Sequence, residues 1–430
     1  MRQSRKASPA DMVDSPLTKV SPGFIALVPH EWNDQWLGRA QVMSRIAKRF
    51  HVVWCGPPHE WRAIPQRARS GPSIQQPLAD LPMLHTYRPE PWLPRLYRPR
   101  TLASRLLQRR LENARSVLER QGCTHIVLSI WHPQYASVLD LVDHDMSMYH
   151  INDEYSFARV QQPISTEERT LMADVDEVFI HSPAVMARKG PLCSSATLTP
   201  NGVDFDAFAA PRPIPEDLAA IPSPRIGYSG FLKMQLDWDL LFDIAQQNPQ
   251  WSFVFVGRAL DQPGLAETLA RLDTRPNVHF LGAKSSRELA AYPQHFDVCM
   301  LPYCVDDYTK YIDPLKLSEY LASGRPAVGS PIVPLQEVSN LVALAGTPAE
   351  WRQAISTSLG SAANAPEERA RRQSWARTRT WDTLVDTILS KVEHHLGEAA
   401  LPAPGSAVGL AAVPAPIPAS APAPASTARL

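Results

Sequence analysis

A lysine and a glutamate three positions apart, Lys316 and Glu319, are the two side chains of this sequence best suited to hold a nucleotide diphosphate. Pro314 fits the first turn of a helix and Gly324 fits a left-handed helix end, which predicts a helix of roughly 10 residues with Asp313 as its N-cap. Lys316 then lies in the first turn, where the helix dipole already favours an anion such as phosphate. Glu319, one turn later, is placed to accept two hydrogen bonds from the hydroxyls of a ribose.

A second interpretation of the same residues needs no ligand. Lys316 and Glu319 are spaced to pair with each other on the surface of a helix, and such a pair contributes only a few tenths of a kcal/mol. Tyr320 shares their predicted face. The residue pattern alone leaves both interpretations open.

Residues 314–328, PLKLSEYLASGRPAV, resemble the nucleotide-sugar-binding segment of GT-B glycosyltransferases of the family 4-like group. In that group the run P-x-K-x-x-E-Y-x-x-x-G-x-P-x-V carries the carboxylate that holds the donor ribose. The resemblance implies that Pro314, Lys316, Glu319 and Tyr320 bind the donor. Similar elements occur in the expected order: DEYS (153–156), DVDEVFIHS (174–182), NGVD (201–204), YSGFL (228–232) and DVCMLPY (297–303). They extend the resemblance to bacterial polysaccharide and exopolysaccharide glycosyltransferases over about residues 23–395.

Apolar runs of strand length alternate with helical patterns along the chain, which predicts parallel sheets with right-handed crossovers. The expected fold class is α/β: a GT-B fold of two Rossmann-like, doubly wound domains that face a cleft. The predicted parts are a disordered tail (1–21), an N-terminal acceptor domain (22–210), a linker with five prolines (211–224), a C-terminal donor domain (225–365), helices that cross back (366–396) and an Ala/Pro-rich disordered tail (397–430). The first strand lacks a G-x-G-x-x-G loop after it, which argues against a dinucleotide oxidoreductase.

Composition narrows the class of partner and the compartment. The 43 basic and 43 acidic residues cancel, so no overall field favours nucleic acid. No apolar run is long enough to span a membrane, and the N-terminus lacks the apolar core of a secretory signal. The five cysteines show no C-x-x-C spacing, which is typical of free thiols in a reducing compartment. We expect a cytoplasmic protein.

Three side chains follow strands of the predicted N-terminal domain: His30, His132 and Asp153. Such positions face the ligand in doubly wound sheets, so all three are candidates for the base that takes a proton from an acceptor hydroxyl. Asp153 ranks first, since burial would raise the pKa of its carboxyl. His132 also resembles the cleft histidine of many family 4 enzymes. The alternatives are a capping role for Asp153 and a hydrogen-bonded core position for His132.

Gly230 and Lys233 follow the first strand of the predicted C-terminal domain. A glycine lets the backbone approach phosphate closely, and Lys233 is either a second cation for the diphosphate or an exposed lysine. The E-x7-E motif of the family has a glutamate eight positions before the ribose glutamate, and Tyr311 stands there instead. A retaining mechanism is therefore not carried over, although Tyr311 keeps its place among the donor-binding candidates. We expect no metal ligand and no cofactor, because GT-B enzymes hold the diphosphate with protein groups.

Residues 88–110 interleave aromatic and leucine side chains with arginines, ahead of a basic helix predicted over residues 101–121. This composition suits either a solvated helix or a surface that touches anionic lipid. The second interpretation would dock the protein peripherally on the inner membrane face, near a lipid-linked acceptor.

The sequence as a whole predicts a glycosyltransferase that moves a sugar from a nucleotide-diphosphate sugar to a polysaccharide or lipid-linked saccharide at the cytosolic membrane face. A UDP-linked donor is favoured over a GDP-linked one. Two alternatives stay open, a UDP-sugar 2-epimerase-like enzyme and a non-catalytic scaffold that binds nucleotide-sugars.

Overall fold

The structure, a computed structural model, describes residues 21–32, 37–57, 74–75, 81–87, 93, 99–155 and 163–397. The two ends predicted to be disordered lie outside the described residues, apart from residues 21 and 397. Within the described ranges the chain forms two parallel sheets, each covered by helices on both faces. This confirms the predicted α/β class with two doubly wound domains.

The N-terminal sheet contains β1 (Pro22–Leu27), β2 (Val52–Cys55), β3 (Ile74–Gln75), β4 (Leu84–Tyr87), β5 (His125–Ile130), β6 (Met146–Ile151), β7 (Glu177–Ile180) and β8 (Ala196–Leu198). Their spatial order is β3-β4-β2-β1-β5-β6-β7-β8. Neighbours are parallel, except that β3 is antiparallel to β4. The order reverses between β1 and β5, and ligands of such sheets bind beside that point at the carboxyl edge.

The C-terminal sheet contains β9 (Arg225–Ser229), β10 (Ser252–Val256), β11 (Val278–Phe280), β12 (Val298–Leu301), β13 (Ala327–Gly329) and β14 (Ala343–Leu344). Their order is β11-β10-β9-β12-β13-β14, and all neighbours are parallel. Here the order reverses between β9 and β12, which places the ends of these two strands beside the expected ligand position.

Helices connect the strands and cover both sheets. The described α-helices are α1 (Gly38–Ile46), α2 (Arg100–Arg120), α3 (Thr166–Asp174), α4 (Pro183–Lys189), α5 (Phe205–Ala209), α6 (Glu216–Ala219), α7 (Trp238–Gln247), α8 (Leu265–Asp273), α9 (Ser286–Leu289), α10 (Leu315–Ser323), α11 (Val333–Gln336), α12 (Pro348–Leu359), α13 (Pro366–Arg377) and α14 (Trp381–Leu396). Short 3-10 helices span Pro133–Asp140, Gly190–Leu192 and Pro293–His295. The proline-rich linker is not wholly extended, because α6 lies within it.

The N-terminal sheet separates two apolar cores, and its strands alternate between them. Phe24 and Ala26 of β1 face one core, whereas Ile25 and Leu27 face the other. Helix α14 packs into the first core through Trp381 and other apolar residues of its inner face, Val385, Ile388, Leu389 and Val392. The last of the described helices therefore leaves the C-terminal domain and completes the core of the N-terminal domain.

His150 on β6 is a buried histidine stacked between two aromatic rings. Its ring centroid lies 3.9 Å from that of Trp131 and 5.1 Å from that of Phe179. Among the described residues, its Nε2 atom has no hydrogen-bond partner. Burial lowers the pKa of His150 from 6.5 to about 3, so the imidazole is neutral in the folded protein at every pH near neutrality.

We predict that this histidine lowers the free energy of unfolding of the N-terminal domain by about 2 kcal/mol as the pH falls from 7.5 to 5. The pKa is depressed in the folded state, so below pH 6.5 the unfolded chain binds a proton that the folded chain does not. His150→Phe keeps the ring stack and removes this contribution. Urea unfolding at both pH values should therefore show a weaker pH dependence in the variant.

His394→Gln is the matched control, because His394 is exposed on α14. It should keep the pH dependence of the wild type. Equal pH dependence in His150→Phe and the wild type would show that His150 is not held neutral by burial.

Candidate functional site

Helix α10 begins at Pro314 and ends at Gly324, whose φ of +76° is left-handed. Pro314 is the N-cap and no side chain caps the helix, so the expectation that Asp313 is the N-cap is wrong. The Asp313 carboxylate accepts the backbone N–H of Asn201 at 2.6 Å instead. Burial raises the pKa of Asp313, and the hydrogen bond from Asn201 opposes that shift. The residue thereby joins the two domains rather than starting a helix.

Gly230, the first residue after β9, lies directly against the Lys316 side chain. Its φ is +145°, and a Cβ atom at this position would collide with Lys316 Cε. Gly257, the first residue after β10, has a φ of +149°, and a Cβ atom there would collide with the carbonyl oxygen of Gly230. Both positions therefore require glycine. This packing brings the lysine to the carboxyl edge of the C-terminal sheet.

Lys316 and Glu319 pair with each other on the first turns of α10. Lys316 Nζ lies 3.2 Å from Glu319 Oε2, and the two side chains are 16% and 17% exposed. The pairing itself agrees with the ligand-free interpretation of the sequence, but both side chains are far less exposed than those of a solvated surface pair would be. The two groups stand where a ligand at the sheet edge would meet a cation and a carboxylate together.

Lys233 is a second cation beside Lys316, in the loop after β9. Burial lowers the pKa of Lys233, the charge of Lys316 lowers it further, and Asp153 of the N-terminal domain opposes both effects. Its ammonium also lies 5.9 Å from the centroid of the Tyr303 ring. Two cations that repel each other near a sheet edge are stabilised by an anion between them. We call the space between Asp153 and these two lysines the cleft.

Tyr320, which the sequence places on the same side of the helix as Lys316 and Glu319, is fully buried. The backbone N–H of Ser229, at the end of β9, donates to its hydroxyl at 2.8 Å. Tyr320 thus supports the strand end beneath the cleft. Its long side chain lies inside the core because helix packing decides which face is covered, and the local pattern left that open.

Tyr311 is turned towards the N-terminal domain. The Arg188 guanidinium lies 5.5 Å from the centroid of its ring, and the Ser182 hydroxyl donates to its carbonyl oxygen at 2.8 Å. Tyr311 therefore occupies the contact between the domains, at the position where the E-x7-E motif would have its first glutamate.

The three candidates of the N-terminal domain all follow the carboxyl ends of β1, β5 and β6, which are neighbours in the sheet. His132 caps the helix Pro133–Asp140, because its Nδ1 atom accepts the backbone N–H of Gln134 at 3.2 Å. Burial, reinforced by the nearby Arg39 cation, lowers the pKa of His30 to about 4. His30 is therefore neutral near pH 7.

Asp153 is linked to the C-terminal domain across the cleft. Its Oδ1 atom accepts the Tyr308 hydroxyl at 3.2 Å and the backbone N–H of Glu154 at 2.8 Å. Burial and the Asp153 charge raise the pKa of Tyr308, so this hydroxyl keeps its proton and acts as the donor. The sequence analysis missed Tyr308, because the loop that carries it shows no periodic pattern.

The loop that carries Asp153 is anchored by a buried network of charges. Lys189 Nζ lies 3.0 Å from Glu154 Oε1 and 2.8 Å from Glu168 Oε1, and all three side chains are at most 2% exposed. The Tyr149 hydroxyl donates to the same oxygen of Glu168 at 3.1 Å. Two carboxylates share one ammonium, which fixes the backbone next to Asp153. The only sequence signal for this network was the DEYS element itself.

The NGVD element lies at the contact between the domains. A Cβ atom at Gly202 would collide with the backbone of Trp381. Val203 N–H donates to the Arg379 carbonyl at 2.9 Å, and Trp381 N–H donates to the Val203 carbonyl at 3.3 Å. The motif is thus a backbone bridge to the segment that enters α14, and it positions the two sides of the cleft.

Within the described ranges, no group of three or more histidine, cysteine, aspartate or glutamate side chains is arranged to hold a metal ion. In that same part of the chain, no helix combines the length and the hydropathy needed to cross a membrane.

We predict that Lys189→Met lowers the free energy of unfolding by about 3–5 kcal/mol, because two buried carboxylates lose their shared counterion. Urea denaturation followed by tryptophan fluorescence measures the change. Lys391→Met is the matched control, since Lys391 is 39% exposed and pairs with Glu177 at 3.5 Å. Its effect should stay within about 1 kcal/mol. If Lys189→Met lowers the free energy of unfolding by no more than this control does, the network does not anchor the loop.

Comparison with known proteins finds a family match for the C-terminal part of the chain. Residues 224–361, which cover the C-terminal sheet, match the sequence profile of the family Glycosyl transferases group 1. TuaH of Bacillus subtilis (strain 168), named as a glycosyltransferase of teichuronic acid biosynthesis, is 28% identical over 196 residues. That match covers 44% of this chain and 48% of TuaH, so it spans about half of the relative's length.

The fold of most of the chain is shared with solved structures. Sucrose-phosphate synthase from Thermosynechococcus elongatus superimposes with a TM-score of 0.63 at 19% identity, over 88% of this chain and 100% of that one. Anabaena HepE, solved in complex with UDP-glucose, gives a TM-score of 0.62 at 13% identity, over 86% and 99%. The family match and the shared architecture give a C-terminal region that resembles Glycosyl transferases group 1 and a two-domain fold like that of these solved structures.

Proposed function

We propose that this protein transfers a sugar from a UDP-linked donor to a saccharide acceptor. The observation that carries the proposal is the grouping of Lys316, Glu319 and Lys233 at the end of β9, opposite Asp153. Cations, a carboxylate and a candidate base then border one cleft. The UDP-glucose bound to HepE and the name of TuaH support a nucleotide-sugar donor and a polymer-forming role.

On the donor side, the diphosphate lies between Lys233 and Lys316, and the N-terminal end of α10 adds its dipole. Burial lowers the pKa of Lys233 and the Lys316 charge lowers it further; this mutual repulsion of the two ammonium groups is relieved when the diphosphate binds. Glu319 exchanges its contact with Lys316 for hydrogen bonds from the ribose hydroxyls. We propose that these protein groups neutralise the leaving diphosphate without a metal ion or a cofactor.

On the acceptor side, Asp153 is the proposed base. The acceptor oxygen forms a bond to the anomeric carbon, the bond from that carbon to the diphosphate breaks, and the hydroxyl proton passes to Asp153. The UDP leaves with the bonding electrons, and the two lysines compensate its charge. Tyr308 holds the carboxylate in place through its hydrogen bond. His132 and His30 border the same edge as further candidates.

Two variants separate donor binding from transfer. Glu319→Ala should weaken UDP binding by about 2 kcal/mol in calorimetry, in line with the loss of hydrogen bonds to a charged group. Asp153→Asn removes the base and keeps the shape, so UDP affinity should stay at the wild-type value while transfer falls by two or more orders of magnitude, on the order of 10²–10⁴ for a general base. The assay measures UDP release from a panel of UDP-hexoses, with and without membrane extract as the source of acceptor.

The proposal requires UDP release that rises when acceptor is added. If the sugar is isomerised and not transferred, the protein is an epimerase instead. If UDP binds tightly but is not released from any UDP-hexose, the protein is a non-catalytic scaffold. Unchanged UDP affinity in Glu319→Ala would remove the donor site from α10.

We propose further that the acceptor is a polysaccharide or a lipid-linked saccharide, used at the cytosolic membrane face by a cytoplasmic protein that docks peripherally. Residues 88–98 of the proposed docking segment, apart from Leu93, lie outside the described residues. Helix α2 carries the rest, and Leu102, Arg105 and Arg109 are exposed on it. The other arginines are partly used within the protein: Arg110 donates to the Gly56 carbonyl, and Arg115 pairs with Glu119 at 2.8 Å.

Flotation with phosphatidylserine vesicles tests the docking surface. Arg105→Glu should reduce binding roughly tenfold, because each basic residue near an anionic surface contributes about 1 kcal/mol. Arg352→Glu, an exposed arginine on α12, is the charge-matched control and should bind as the wild type does. Wild-type protein that floats with neither phosphatidylserine nor phosphatidylcholine vesicles would remove the membrane from the proposal.

A further inference from the structure

Arg39, in the first turn of α1, is a partly buried cation with unused donors. Its Nε and Nη1 atoms are inaccessible to solvent and have no hydrogen-bond partner among the residues that the structure describes. Arg45 on the same helix has partners for its guanidinium: it lies 3.2 Å from Asp382 and 2.6 Å from the side-chain oxygen of Gln41. A buried charged group without partners is costly, so Arg39 stands out as a group prepared for a ligand.

The surroundings of Arg39 place it at the ligand edge of the N-terminal sheet. Burial lowers the pKa of Arg39, and Tyr155, Asp153 and Tyr135 act in the opposite direction. The hydroxyls of both tyrosines donate elsewhere: Tyr155 to Asn152 Oδ1 at 2.8 Å, and Tyr135 to the Val28 carbonyl at 2.7 Å. Asp153 lies near the guanidinium but forms no ion pair with it within 4.0 Å in the described structure. Arg39 is therefore surrounded by polar groups, and none of them neutralises it.

Asp153 links Arg39 to the donor lysines electrostatically. Its charge acts on the pKa of Arg39 and also on that of Lys233, which in turn lies beside Lys316. Lys233 and Lys316 belong to the C-terminal domain and stand where the diphosphate is proposed to bind. Arg39 belongs to the N-terminal domain, in the first turn of α1. A ligand group that reaches Arg39 thus arrives with the molecule that gives its proton to Asp153.

We propose that Arg39 binds an oxyanion, a phosphate or a carboxylate, carried by the acceptor close to the hydroxyl that is glycosylated. This inference rests on the proposed transferase function and narrows its acceptor to an anionic saccharide. A guanidinium offers several N–H groups in one plane and suits both oxyanions. Because the site is already desolvated, a neutral acceptor would leave the cation unpaired and would be discriminated against.

The test is calorimetry on the full chain saturated with UDP, titrated with glucose, glucose 6-phosphate and glucuronate. These three probes share a ring and differ in the charged group. The wild type should bind the two anionic sugars at least tenfold more tightly than glucose. Arg39→Gln should remove that preference and leave the affinity for UDP within twofold. Arg39→Lys keeps the charge without the planar fork and should retain part of the preference.

Arg49→Gln is the matched control, since it removes a positive charge just beyond the end of the same helix. Arg49 pairs with Asp386 at 3.1 Å on the side of α14, away from the cleft. This variant should bind all three sugars as the wild type does. If Arg49→Gln and Arg39→Gln lose the preference for anionic sugars equally, the preference arises from the overall charge of the protein, and the proposed site is wrong.

Two other outcomes overturn the proposal. If the wild type binds the anionic sugars no more tightly than glucose, Arg39 does not select an oxyanion. If Arg39→Gln weakens UDP binding tenfold instead, the oxyanion belongs to the donor diphosphate. A wild-type protein that does not bind UDP would contradict the proposed function itself, and the first titration with UDP alone distinguishes that failure from the other two.

Discussion

The whole donor side of the cleft depends on one close approach, that of the Lys316 side chain to the backbone of Gly230. The lysine can reach the carboxyl edge of the C-terminal sheet only because no Cβ atom stands in its way, and Gly230 fits only because Gly257 also lacks one. Both glycines have φ values near +145°, where other residues are strained. The packing of β9, β10 and α10 therefore does more than fill a core, because it also places the Lys316 ammonium at the edge of the sheet.

The acceptor side is positioned by contacts between the domains. The backbone of Gly202 and Val203 bridges to the segment that enters α14, and Asn201 binds Asp313 at the start of the donor helix. These contacts set the distance between two otherwise separate sheets, so that Tyr308 reaches Asp153. The polar groups at the two sheet edges form a single site only because these contacts between the domains fix the sheets relative to each other.

Two cations of the N-terminal domain, one buried and one partly buried, show opposite uses of charge. Lys189 is matched by two carboxylates and stabilises the loop next to Asp153. Arg39 has no counterion in the described structure, and we propose that a ligand supplies one. Stability and binding thus depend on the same term, the cost of desolvating a charge. That cost is offset by a partner either inside the protein or on the ligand.

The sequence by itself determined the alternating strands and helices, the glycine that ends α10, the spacing of Lys316 and Glu319, and the strand ends where His30, His132 and Asp153 lie. All of these follow from apolar periodicity and from neighbours within a turn or two. Only the tertiary structure decided that Asp313 binds Asn201, 112 positions away, and that Tyr308 reaches Asp153, 155 positions away. It also decided that Tyr320 faces the core and that two N–H groups of Arg39 have no hydrogen-bond partner among the described residues. Packing between distant segments determines which polar groups are covered and which find a partner.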